Sequence, residues 1–337
     1  MPFFSIIVPV YNRPEEVTEL LESLSLQIFV DFEFILVEDG SLRKSDKLLE
    51  KYKQKFPIIY LDRENQGPAI ARNTGMEVAK GDYLLFIDSD CIVPPDWMKK
   101  IHDYLGNDPV DCFGGPDRAA GSFNNVQKAI SFAMTSLITT GGIRGGKHQV
   151  DKFYPRSYNL GISSKLYKEM GGFPITRMHP GEDMVFSIEL IKRGYNTALF
   201  NNAFVYHKRR STLNQFFRQV YRFGYTRYII SRVYPETKKV LYWIPSFFLF
   251  GSLFLITAGA LFHLYYLIPL LLLFVLIFSV SAYVNHSIKV GFLSIITSVM
   301  QLAGYGCGFA SSFFWVEIMG RDEYGVLKHG FYPNKPF

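Results

Sequence analysis

The chain has 337 residues, a hydrophobic share of 48% and three cysteines, Cys91, Cys112 and Cys307, odd in number and widely spaced. That length admits one large domain or two, and the cysteine pattern excludes a disulfide framework or a zinc site and fits a reducing compartment. The net charge of +6 does not mark a nucleic-acid binder, because the basic excess gathers in one segment just ahead of an apolar final third. The opening stretch MPFFSIIVPVYN has neither a basic leader nor a cleavage site and reads as a first strand, not a signal peptide.

In chain order, residues 4–10 (FSIIVPV) predict a strand, followed by a helix opened by Pro14, with Glu15 and Glu16 in its first turn and Val17, Leu20, Leu21 and Leu24 on one face. EFILVED then predicts a strand, SDKLLEKYKQKF a helix, PIIYLD a strand, GPAIARNTGMEVAKG a helix and DYLLFID a strand. Strands alternating with such helices predict the α/β class, with a mostly parallel sheet covered on both faces. Ligands in such sheets bind at the carboxyl ends of the strands, where this chain carries Tyr11 and Asn12, then Glu38 and Asp39, then Asp88 and Asp90. If the last strand stays extended, Asp88 and Asp90 point the same way. Paired carboxylates there suit a hard divalent cation that keeps phosphate oxygens among its ligands, and Arg72, on the helix after ENQGPA, can approach the same pocket.

Residues 114–158 hold a helix-like stretch and a glycine-rich run (Gly141, Gly142, Gly145, Gly146), which predicts a loop beside an acceptor cleft or a plain linker. GEDMVFSIELIKRG predicts a helix starting after Gly181. Adjacent helical residues diverge by about 100°, so Glu182 and Asp183 cannot both face one atom. Residues 211–232, STLNQFFRQVYRFGYTRYIISR, have helical periodicity and mix arginines with aromatics. One reading is an amphipathic helix on a membrane surface, with Phe216, Phe217, Val220 and Tyr221 in the interface.

From about Val240 charge almost disappears. Val240 to Leu264, Tyr265 to Val284 and Val290 to Ile318 each reach the roughly 20 residues a bilayer helix needs, and Gly304, Gly306 and Gly308 give the third a small-residue face for close packing. Between His207 and Lys239 lie nine Lys and Arg against one acid, Glu236, which predicts that the N-terminal domain is cytoplasmic. Three spans then put the tail from Gly320 outside, although it carries Arg321, Lys328 and Lys335.

The blocks SIIVPVYNRPEEV, VEDGS, NQGPAIARNTGMEVAKGDYLLFIDSD, NLGISSKLYKEMGGFP and GEDMVFSIELIKRGY occur in the order and spacing of the family 2 glycosyltransferases, and over residues 3–225 the chain resembles that family. The resemblance implies a GT-A fold, Rossmann-like, that binds a nucleotide-sugar and transfers the sugar with inversion. It implies that Pro9, Tyr11 and Asn12 line the nucleotide pocket, that Asp39 bonds the base, and that Arg72 and Asp88 contact the nucleotide. It further implies Asp90 as metal ligand, for Mn2+ or Mg2+, with His207 beside metal and diphosphate, and Asp183 as general base, Glu182 being an acceptor or structural contact. QVYRF resembles the family's QxxRW motif, with Gln219 and Arg222 near acceptor or diphosphate; Phe223 in place of tryptophan weakens the link to processive synthases.

The resulting division is a GT-A domain over 1–210, an interface helix over 211–239, three membrane helices over 240–319 and a tail over 320–337. The expected protein is a multi-pass inner-membrane glycosyltransferase taking a nucleotide-sugar, a UDP-sugar first, to a lipid-linked saccharide for cell-surface glycan synthesis. Two alternatives stand beside it: transfer to a polyprenyl phosphate, and a non-catalytic membrane scaffold that binds nucleotide-sugars. The oligomeric state is not readable.

Overall fold

The structure is a computed structural model describing residues 2–120, 123–141, 153–174 and 180–321. The described elements run β1 (Phe4–Val10), α1 (Pro14–Leu24), β2 (Phe32–Asp39), α2 (Asp46–Leu49), β3 (Ile58–Arg63), α3 (Pro68–Val78), β4 (Tyr83–Phe86), β5 (Cys91–Ile92), α4 (Trp97–Asn107), β6 (Cys112–Gly114) and β7 (Asp117–Arg118). There follow α5 (Asn125–Thr135), α6 (Leu137–Thr140), β8 (Leu160–Ser163), α7 (Ser164–Met170), α8 (Glu182–Lys192), β9 (Thr197–Leu199), β10 (Val205–His207), α9 (Leu213–Val233), α10 (Ile244–Leu261), α11 (Ile268–Asn285) and α12 (Ile288–Phe313). They fall into two compact units. Residues 2–120, 153–174 and 182–208 make the first, and 123–141, 180–181 and 209–321 the second.

The first unit is built on a seven-stranded sheet in the order β3-β2-β1-β4-β8-β6-β9, in which β8 alone runs antiparallel to both its neighbours. The expected α/β class and mostly parallel sheet are present. Side chains alternate across it as the period of two requires. Phe4, Ile6, Val8 and Val10 of β1, with Phe34 and Leu36 of β2, join the core under α1 and α4. Ile7, Ile35, Val37, Leu84 and Phe86 join Ala71 and Met76 of α3 on the other face. Burial on both faces explains the nearly unbroken apolar runs in the sequence. A second, three-stranded sheet, β5-β10-β7, binds three distant segments together.

Two local expectations change. SDKLLEKYKQKF forms a single helical turn, Asp46–Leu49, followed by turns, because Tyr52 and Phe56 are drawn into the β2 core and fix the chain there. β4 ends at Phe86, and a turn closed by the Cys91 N–H on the Asp88 carbonyl (3.1 Å) follows. The alternation that would aim Asp88 and Asp90 together is therefore broken.

The second unit centres on α12. Helices Val240–Leu261, Leu264–Asn285 and Ile288–Ile318 are each long and apolar enough to cross a membrane, but 50% of the most apolar stretch of the third is buried in protein, against 17% and 11% for the others. From Thr297 to Phe313 no residue of α12 is exposed. α9 lies alongside it, running in the same direction: Val220 meets Gly304, Tyr221 meets Gly308, Gly224 meets Tyr305, and Tyr228 reaches Glu317. A Cβ on Gly308 would stand 2.0 Å from the Tyr221 carbonyl oxygen, and one on Gly306 2.5 Å from the Pro245 carbonyl oxygen. The small-residue face thus packs as expected, but against α9 and the start of α10. Phe216 and Val220, expected at the membrane interface, are fully buried with Ile130, Ala133 and Met134 of α5, because the glycines let α9 turn its apolar side onto α12. α5, read as part of the N-terminal domain, docks here too, the Thr297 hydroxyl donating to the Ala129 carbonyl (2.9 Å). Gly142, Gly145 and Gly146 of the expected loop lie outside the described residues, whereas Gly141 closes α6 in a left-handed conformation.

Candidate functional site

The site residues of the first unit collect where β1, β2 and β4 end. Val10 leads into Asn12, which takes a positive φ of 56°. Its side-chain carbonyl accepts the Leu42 and Arg43 N–H groups (2.7 and 3.0 Å), and its own N–H donates to the Ser41 hydroxyl (2.7 Å). Asparagine tolerates this conformation because its short amide bonds the local backbone. Asn12 therefore ties the ends of β1 and β2 together. Pro9 is paired across from Val37, and Tyr11 stands exposed.

Asp39, the last residue of β2, is buried and accepts the Gln66 and Gly67 N–H groups, one on each oxygen, both at 2.9 Å. Its cross-strand neighbour Arg63 bonds Gln66, Ile70 and Thr74. The carboxylate thus holds the loop that enters α3, and α3 presents Arg72. This arginine is 3% exposed, donating to Asp88 (2.9 Å) and Glu182 (3.2 Å) with its guanidinium 5.5 Å from the Phe173 ring centre. Burial opposes its charge, but Asp88, Glu182 and Asp183 together hold its pKa above the usual arginine value. α8 begins at Glu182, so Glu182 faces Arg72 while Asp183 turns to Arg156, 3.6 Å away. The two acids diverge as helix geometry demands.

Asp90 has partners of its own. Arg13 reaches its Oδ2 at 2.5 Å, the His207 Nε2 lies 3.1 Å from its Oδ1, and its carbonyl accepts the Lys208 N–H (2.9 Å). The small sheet makes this possible, since His207 pairs with Cys91 and Val205 with Asp117. The His207 Nδ1 side faces Asp117, whose side chain is wholly buried, at 4.0 Å, and the Tyr158 hydroxyl donates to the other Asp117 oxygen (3.4 Å). Burial, with Asp90, Asp88 and Asp117 adding to it, pushes the Cys91 thiol well up, and its S–H donates to the Tyr158 carbonyl. Cys91 is close enough to join a metal site with Asp90 and His207. A neutral thiol suits a hard cation poorly, however, so the carboxylate and imidazole are the groups of this cluster that would suit Mn2+ or Mg2+.

Of the residues expected at the site, Pro9, Tyr11, Asn12, Asp39, Arg72, Asp88, Asp90, Glu182, Asp183 and His207 belong to this unit. Asp88 and Asp90 pair with different arginines: Asp88 with Arg72, and Asp90 with Arg13, with His207 beside it. Gln219 and Arg222 lie on α9 in the second unit, half-buried and exposed respectively. Sequence reasoning missed Arg13 and Asp117. The first sits in the quoted YNRPEE and the second follows two glycines and a proline, and neither spacing alone told of the contact.

Residues 5–169 match the model of Glycosyl transferase family 2. An uncharacterized glycosyltransferase of Haemophilus influenzae is 40% identical over 107 residues, 31% of this chain and 43% of that protein, so the match spans less than half of its length. Glycosyltransferase AglE of Haloferax volcanii is 24% identical over 225 residues, 62% of this chain and 68% of that protein. Among solved structures, mannosyltransferase PcManGT of Pyrobaculum calidifontis, in complex with GDP-Man and Mn2+, aligns with a TM-score of 0.65 over 94% of this chain and 88% of that one, at 16% identity. The likeness is one of fold, and the fold is of the GT-A class.

Proposed function

Since residues 5–169 of this chain are a glycosyltransferase family 2 domain, we propose that the protein is a membrane-anchored inverting glycosyltransferase that carries a sugar from a nucleotide-sugar to a lipid-linked saccharide in cell-surface glycan synthesis. The observation that carries this reading is the sorting of charges at the carboxyl edge of the sheet. Arg72 stands between Asp88 and Glu182, Asp90 between Arg13 and His207, and Asp183 stands apart beside Arg156.

Pro9, Tyr11 and Asn12 line the nucleotide pocket and Asp39 meets the base. Arg72 and Asp88 border the nucleotide, and Arg72 keeps its full positive charge there. Asp90 and His207 would hold a divalent cation, which when bound neutralises the diphosphate leaving group. Asp183 takes the proton from the acceptor hydroxyl as that oxygen bonds the anomeric carbon, and the bond from that carbon to the diphosphate breaks on the opposite face. Gln219 and Arg222 serve acceptor or diphosphate. The apolar helices α10 and α11 anchor the protein in the inner membrane with the catalytic domain cytoplasmic, where a lipid-borne acceptor is presented.

The test is binding of UDP, GDP and their sugars to the detergent-purified protein with and without Mn2+; GDP is included because the PcManGT complex contains GDP-Man. Metal-dependent binding that disappears in Asp90→Ala supports the donor site. If no nucleotide binds under any metal condition, the catalytic reading falls, and the nucleotide-sugar-binding scaffold falls with it; nucleotide binding without any transfer selects the scaffold. The exposed Arg218 and Arg222 on α9 favour a second acceptor, a polyprenyl phosphate, which needs no base; transfer that survives Asp183→Asn selects it.

A further inference from the structure

Arg13 donates to the Asp90 Oδ2, and the His207 Nε2 lies 3.1 Å from Oδ1. Its side chain is 11% exposed, while that of Arg13 is 32% exposed. The backbone around Arg13 is fixed. Asn12 before it is bonded to the β2 loop, and Pro14 after it begins α1, with the Val17 N–H donating to the Arg13 carbonyl (3.1 Å). The side chain does not cap that helix. A long cationic stem is thus mounted on a rigid base with solvent on one side, so its head can leave Asp90 without moving the fold.

The charges facing Arg13 are Asp90, Glu16 and Asp88, and Asp88 is held by Arg72. Lys208, next to His207, is bound to Glu19 of α1. A divalent cation that takes Asp90 Oδ2 as ligand must displace Arg13 and add two positive charges to a group already matched by arginine. A nucleoside diphosphate supplies the negative charge that makes this favourable, and its oxygens accept the displaced guanidinium, for which the planar fork of arginine is well shaped.

We propose that Arg13 is a specificity-determining residue that makes cation binding conditional on a nucleoside diphosphate, by holding Asp90 until the diphosphate arrives and then moving onto the diphosphate. This rests on the donor-site reading above. It accounts for an arginine on a carboxylate that the cation needs, and it gives Arg13 a role in affinity and order of binding, distinct from proton transfer.

The experiment is Mn2+ binding followed by electron paramagnetic resonance and calorimetry on the purified full chain, alone and with saturating UDP or GDP. For the wild type the expected result is weak binding of Mn2+ alone and a gain of about 100-fold with nucleotide, within the usual range of coupling between two ligands. Arg13→Gln should tighten binding of Mn2+ alone by about tenfold and lower the gain from nucleotide to about fivefold or less. Arg13→Lys keeps the charge and should keep most of the coupling. An Arg13→Gln protein with wild-type unfolding temperature and unchanged affinity and coupling overturns the proposal while leaving the donor site standing. Wild-type protein that binds no nucleoside diphosphate overturns both readings.

Discussion

Arg72 ties Asp88 to Glu182 from a position almost closed to water, so removing it leaves two acids facing each other with no cation between them. Breaking a buried pair of this kind costs about 3–5 kcal/mol. We expect Arg72→Ala to lose about 3 kcal/mol or more of stability, seen as a fall in the unfolding temperature, and to bind nucleotide weakly for the same reason. Asp183 makes a different prediction. Its ion pair is with Arg156, and it acts on Arg72 only through space, so Asp183→Asn should leave the unfolding temperature near that of wild type and nucleotide binding intact. Turnover on a hydroxyl acceptor should fall by about 10²- to 10⁴-fold. Cys91 lies beside Asp90, yet burial and three nearby acids keep it a neutral thiol, and only thiolates react quickly. Iodoacetamide at pH 8 should leave Cys91 unmodified in the folded protein and modify it after denaturation; rapid labelling of the native protein would falsify this picture of the site.

At the scale of elements, periodicity was a good guide where burial was uniform. β1 and α8 begin where expected, and α1 opens at Pro14, because a strand buried on both faces and a helix with one apolar stripe leave direct patterns in the chain. The pattern failed where a few side chains decided. Tyr52 and Phe56 pull the segment after α2 out of helix, and the turn at Asp88 sends two nearby carboxylates to different cations. His207 and Asp90 were legible as separate candidates through the resemblance, but their meeting depends on β10 pairing with β5, a register between residues more than a hundred apart. Arg13 and Asp117 were not legible, since a lone arginine or aspartate carries no period. The packing of α9 on α12 has its own test. A Cβ on Gly224 would lie 2.1 Å from the Tyr305 carbonyl oxygen, and backbone cannot yield as a side chain can. Overpacking of this kind costs about 1–3 kcal/mol, so Gly224→Val should lower the yield and thermal stability of the detergent-solubilised protein, whereas the same change at Gly251, which has nothing within 4 Å, should not.

For the molecule as a whole, the sequence announced an apolar third from composition alone, but it could not say which faces meet lipid, because hydropathy is blind to neighbours. α10 and α11 keep most of their apolar surface outward, and α12 between Thr297 and Phe313 keeps none fully exposed. The helix that covers it, α9, carries Arg218, Arg222, Arg227 and Arg232 and ends with Arg232 on Glu317 of the last turn beyond α12. Each arginine at bilayer mid-depth costs about 2.5–3.5 kcal/mol even on the mildest scale. A pair of helices joined backbone to backbone through glycines goes through a bilayer together or not at all, and this one has four reasons to stay out. Crossing by α10 and α11 alone would be even in number and would leave Thr212 and Arg321 in one aqueous compartment. Single cysteines placed by Thr212→Cys and Arg321→Cys should both react with a membrane-impermeant maleimide added from the same side of sealed vesicles, while labelling from opposite sides would mean an odd number of crossings.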